Sequence, residues 1–114
     1  MVIKDVKKPD LYTYRVMWSE EDGEFIGLCA EFPSLSWLAE TKEAAIMGIT
    51  ELVSNVINDM ESHNEIVPVP LSTKNYSGNL SIRIPPEVHR KLAIQAAESN
   101  ISVNRLISVK LAAD

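Results

Sequence analysis

The sequence is short of the residues that most catalytic and metal chemistry requires. Its 114 residues include one cysteine, four glycines and two histidines. The single thiol, Cys29, excludes an internal disulfide, and with only His63 and His89 beside it the chain has too few soft ligands for a zinc site. The apolar neighbours of Cys29 mark it as a core residue. Glycines stand apart at positions 23, 27, 48 and 78, so no glycine-rich loop cradles a phosphate. One histidine follows an expected helix end and the other falls in a different module, which leaves no credible Ser-His-Asp or Cys-His arrangement. No apolar run approaches the roughly 20 residues of a membrane span. The opening MVIKDVKKPD lacks the apolar core and cleavage site of a signal peptide. The expectation is a cytoplasmic protein that uses no metal, cofactor or membrane and is not an enzyme, with no catalytic residue.

What the chain does hold is unevenly spread. The net charge is −5, yet residues 1–74 carry 13 acidic and 6 basic side chains, whereas residues 75–114 carry 3 and 5. That asymmetry points to two modules with different partners. A chain this short buries only about two-thirds of its unfolded surface, so modules cut from it lean on partners.

The first module is expected over residues 1–71. LYTYRVMW alternates Tyr12, Tyr14, Val16 and Trp18 on one strand face, and FIGLCAEF places Ile26, Leu28, Ala30 and Phe32 on one face of a second strand. SEEDGE between them contains Asp22-Gly23, the signature of a tight turn. Its carboxylates Glu20, Glu21, Asp22 and Glu24 splay outward from such a turn and do not converge on a metal. A short third strand is expected around Leu35 to Ala39. Thr41 then caps a helix whose apolar residues (Ala45, Ile46, Ile49, Leu52, Val53, Val56, Ile57, Met60) step by three and four. IVPVPL reads as an extended exit segment because its two prolines remove donors along one side. Residues 72–78, STKNYSG, form a polar linker.

The second module, residues 79–114, opens on NLSIRI. As a strand it places Leu80, Ile82 and Ile84 on one face and Asn79, Ser81 and Arg83 on the other. Pro85-Pro86 starts a helix with Glu87 in its first turn, Asn100 closes it, and Ser102 caps a second one. A lone strand with two helices is too small for its own core. If two copies pair their strands, Leu80, Ile82, Ile84, Leu92, Leu106 and Ile107 build a shared dimer core, and the polar residues form a two-stranded ribbon of the size that enters the DNA major groove. Asn79, Ser81 and Arg83 then contact bases, while Ser102, Val103 and Asn104 at the second helix start hold a phosphate.

Strand, proline stop, helix and the turn NISVNRLI together resemble the ribbon-helix-helix DNA-binding domain of Arc-type repressors. The first module, YRVMWSEEDGEFIGLCAEFPSL followed by TKEAAIMGITELVSNVI, is similar to the degraded RNase H-like domain of HicB antitoxins, from which it departs at SLSWLAE. The fold class implied is α+β: an RNase H-like antiparallel sheet with one packed helix, then a C-terminal ribbon-helix-helix (βαα) dimerisation domain. The resemblance implies an antitoxin that binds a small basic HicA-like, mRNA-cleaving toxin and represses its own operon as a homodimer on operator DNA, with a higher oligomer left open. Glu20, Glu21, Asp22 and Glu24 become toxin-facing candidates. Trp37 is either core or an interface anchor. The alternative is a stand-alone repressor whose first module senses a ligand or oligomerises. The absence of a carboxylate from residues 11–18 argues against surviving nuclease chemistry.

Overall fold

A three-stranded antiparallel sheet and three α-helices make up the α+β architecture of the computed structural model, which describes residues 8–113. The chain divides after Tyr76 into two units.

In the first unit a 3-10 turn (Lys8–Leu11) leads into β1 (Tyr14–Ser19), β2 (Glu24–Cys29) and β3 (Ser36–Ala39), with β2 central. The β1–β2 connection is tight because Gly23 adopts φ +64° and its amide donates to the Ser19 carbonyl at 2.9 Å. The Ser19 hydroxyl also donates to Asp22 Oδ2 at 2.7 Å. Helix α1 (Lys42–Ser62) begins as expected, with Thr41 Oγ1 accepting from Ala44 N at 3.1 Å. It ends where Asn64 takes φ +56° and the Glu65 amide reaches back to the Met60 carbonyl at 2.9 Å. Such a left-handed closure satisfies a carbonyl the helix leaves open.

The pairs Tyr14↔Cys29, Val16↔Gly27 and Trp18↔Phe25 put these six residues on one sheet face. Helix α1 packs on that face. A Cβ added to Gly27 would come 2.6 Å from the Ala45 carbonyl oxygen, and one added to Gly48 would enter the Trp37 ring. The Tyr14, Val16 and Trp18 face of β1 is therefore the one that meets the helix, whereas the Ile26 and Leu28 face of β2 is the opposite one. Ile26 and Leu28 point away from α1, and Phe32 reaches the core only because the chain turns after Cys29. The physical reason is proximity: at the centre of β2 the helix comes so close that there is no room for a side chain at Gly27. The buried cluster comprises Tyr12, Cys29, Phe32, Ile49, Val53 and Ile57, with the Tyr12 and Phe32 rings tilted at 5.4 Å. Ala45 completes a buried line along α1 in steps of four.

The exit segment after α1 has no regular secondary structure and belongs to no sheet. Instead it is pinned by side chains: the Tyr12 hydroxyl donates to the Pro68 carbonyl at 2.6 Å, and the Ser72 hydroxyl to the Leu11 carbonyl at 2.6 Å. Glu31 joins both ends. Its carboxylate accepts from Leu71 N at 2.9 Å, from Thr13 N at 2.9 Å and from the Thr13 hydroxyl at 3.1 Å.

The second unit contains α2 (Pro86–Glu98) and α3 (Val103–Ala112). Asn100, at φ +56°, turns the chain between them, with the Ile101 amide donating to the Ala96 carbonyl at 3.0 Å. The strand expected over residues 79–84 is absent from the single chain, where residues 79–85 have no regular structure. A strand exists through its ladder of hydrogen bonds, and an isolated extended segment has no neighbour to supply one.

Glu31 yields a pH prediction. Partial burial alone would raise its carboxyl pKa, but hydrogen bonds from Leu71, from Thr13 and from its own amide outweigh that and hold it below the ordinary value. Its stabilisation is then complete above the unfolded-state value of about 4.3 and is lost as pH falls through the depressed folded value. Glu31→Gln is expected to lower stability at neutral pH by about 1 kcal/mol. The gap from the parent should narrow below pH ~4, as read from urea midpoints at several pH values.

Candidate functional site

The second unit is where sequence and structure disagree most usefully. Leu80, Ile82 and Ile84 are 82%, 63% and 40% exposed, and of the unit's described apolar residues only Ala96 is fully buried. Leu92, Leu106 and Ile107 are half-buried where α2 and α3 pack together. Leu80 and Ile82 share with Ile107 and Leu111 an open cleft of about 520 Å³ beside α3. The expected dimer-core residues are thus partly gathered and uncovered. Below roughly 40 residues a fold usually needs a disulfide, a metal or a partner, and this unit lies under that limit.

Asn79, Ser81 and Arg83 are exposed, as are Ser102 and Asn104, with Val103 half-buried. Ser102 has a defined local role. Its hydroxyl accepts from Arg105 N at 3.0 Å, which caps α3. Helix geometry leaves the Val103 and Asn104 amides without an intrahelical acceptor, so they remain able to donate to an anion. At the other helix start, the Pro85 carbonyl takes the first amides, from Val88 at 3.0 Å and His89 at 3.1 Å. Pro86 follows as the first helical residue, where no amide donor is required.

In the first unit, Glu20, Glu21 and Asp22 are exposed in the β1–β2 turn, and Glu20 is held by the Trp18 indole, which donates to it at 2.6 Å. Trp37 is not brought together with them on one face. It pairs with Gly27 and rests on Gly48, on the α1 side of the sheet, whereas Glu24 pairs with Ser19 on the other side. Trp37 is half-exposed, so it is a sheet-to-helix packing residue with one open edge. Sequence reasoning missed the residues beside Glu24 on its own face: Met17, Ile26 and Leu38, which pair across all three strands. The signal was present in the small residues Gly27 and Cys29, which mark the covered face.

Burial pushes the Cys29 thiol pKa up, and the side chain is enclosed, which keeps it protonated and unreactive at neutral pH. Among the described residues no three His, Cys, Asp or Glu side chains converge as a metal site would require. No described helix is long and apolar enough to cross a membrane.

Against this geometry, residues 67–111 match the model of the HicB family. The match spans less than half of the chain, from the exit segment through most of α3, and supports membership of that family. It is consistent with an antitoxin-type role and with a toxin partner in general terms. It covers most of the second unit and only the exit segment of the first, not the strands or α1. No curated protein and no solved structure matches the chain.

The cap on α3 is separable from any anion it holds. Ser102→Ala should lower thermal stability by about 1 kcal/mol, while Ser102→Asp, which accepts the same hydrogen bond, should restore it. Thermal unfolding followed by circular dichroism reads both.

Proposed function

We propose that the protein is a non-enzymatic antitoxin of the HicB type that represses its own operon. In this reading the second unit is a ribbon-helix-helix domain. Two copies pair residues 79–84 as antiparallel strands, and Leu80, Ile82, Ile84, Leu92, Leu106 and Ile107 close a common core. The observation that carries the reading is the uncovered apolar row in residues 80–84, set directly before two capped helices inside the stretch that matches the family.

Pairing completes the hydrogen-bond ladder that a single chain lacks and removes about 1.5–3 kcal/mol worth of exposed apolar surface per fully buried side chain. The same alternation turns Asn79, Ser81 and Arg83 from each chain outward as one ribbon. Arginine is suited to bidentate contact with guanine and asparagine to adenine. The free amides of Val103 and Asn104, beside Ser102, suit a backbone phosphate. Residues 75–114 carry the excess of basic side chains, which favours DNA.

The first unit is a degraded RNase H-like domain that meets the toxin, a small basic HicA-like ribonuclease. Its first strand, YRVMWS, contains no carboxylate for metal-dependent cleavage, which supports binding rather than catalysis. The acidic excess of residues 1–74 suits a basic partner, chiefly by speeding encounter. All of this takes place in the cytoplasm.

Arg83→Ala is the direct test. It should weaken binding to DNA from upstream of the gene by at least about tenfold, the scale of one lost bidentate pair, while dimerisation and toxin co-purification are unchanged. A gel-shift titration with the parent's affinity would overturn the DNA assignment.

A further inference from the structure

In the first unit one face of the sheet lies against α1, and no described residue of that unit packs on the other. An antiparallel sheet with a solvated side ordinarily shows polar residues there. Here the register instead lays a row of Met17, Ile26 and Leu38 across all three strands. Met17 is 46% and Leu38 41% exposed, and Ile26 between them is half-buried by its neighbours alone. Leu28, paired with Arg15 and Ser36, extends the apolar surface towards the far end. That end holds an open depression of about 420 Å³ lined by Thr13, Arg15, Leu28, Cys29, Ala30 and Pro33.

The near end is acidic. Glu24 lies on this face beside the turn carrying Glu20, Glu21 and Asp22, and Glu40 follows Ala39, the partner of Phe25, at the same end. An apolar row bounded by carboxylates has a definite complement: an apolar strip bordered by lysines or arginines. Nucleic acid is repelled by such a rim. A second copy would bring the same carboxylates with one arginine on the face, which leaves the rim uncompensated.

We infer that this open sheet face, centred on Met17, Ile26 and Leu38, is the docking surface for the basic protein partner. The inference rests on the antitoxin reading and sharpens it, since it moves the toxin site from the turn and Trp37 to the face opposite α1. The apolar row supplies the affinity, and the carboxylates steer the approach and set orientation. Trp37 lies on the other side and takes no part.

The test uses the full chain co-expressed with a small basic HicA-like protein, taken from an adjacent reading frame where one encodes it, with affinity measured by calorimetry. Met17→Asp and Leu38→Asp should each weaken binding at least tenfold, whereas Met47→Asp, on the exposed side of α1, should bind as the parent does. Added salt should slow association of the parent. Circular dichroism checks folding, and Met17→Gln, close in volume and polar, provides a gentler variant if an aspartate unfolds the sheet. Parent-like affinity in the folded Met17 and Leu38 variants overturns this surface and leaves the antitoxin reading intact. Failure of the parent to bind the HicA-like protein overturns both. A change in the chain's own oligomeric state in Leu38→Asp, without loss of partner binding, assigns the face to self-association and also overturns the inference.

Discussion

An extended segment cannot satisfy its backbone alone, and on this constraint the second unit depends. Residues 79–84 carry three apolar side chains at alternate positions, next to helices too few and too short to cover them. The local chemistry is nonetheless complete: Pro85 and Pro86 start α2, Asn100 turns the chain, and Ser102 caps α3. What is missing is a second source of hydrogen bonds and apolar contact. In the proposed dimer a copy of the same segment, run antiparallel, would supply both and would produce the polar ribbon as a geometric consequence.

The first unit solves the same problem within one chain. Its short sheet is stabilised on one side by α1, whose line of Ala45, Ile49, Val53 and Ile57 fits closely because Gly27 leaves room for it and Gly48 leaves room for the Trp37 ring. The exit segment, unable to join the sheet through its prolines, is tied down by Tyr12, Ser72 and the Glu31 carboxylate. Core and clasp both lie on or near the covered side and the ends of the strands. On the other side, where no described residue of the unit packs, the register sets the apolar row of Met17, Ile26 and Leu38.

Much of this was legible in the sequence where the signals are local. Thr41 and Ser102 announce helix starts through side chains that satisfy their own first turn, and Asp22-Gly23 announces a turn through the positive φ that glycine permits. The α1 stripe was equally plain. The sheet faces were harder, because β2 hides its small residues and shows its large ones: Ile26 and Leu28 look like core by hydrophobicity, whereas Gly27 and Cys29 are core by proximity. Trp37 could not be assigned between core and surface because it is partly each. The strand at 79–84 was legible only as an alternation, since the pairing that would make it a strand is not available within one chain.

The central claim is that two copies complete the second unit, and sedimentation velocity over a range of protein concentration tests it most directly. The account predicts a dimer that dissociates to monomer on Ile82→Lys, with the first unit's fold unchanged. A parent chain that remains monomeric at high micromolar concentration, with its second unit protected from proteolysis, would contradict it.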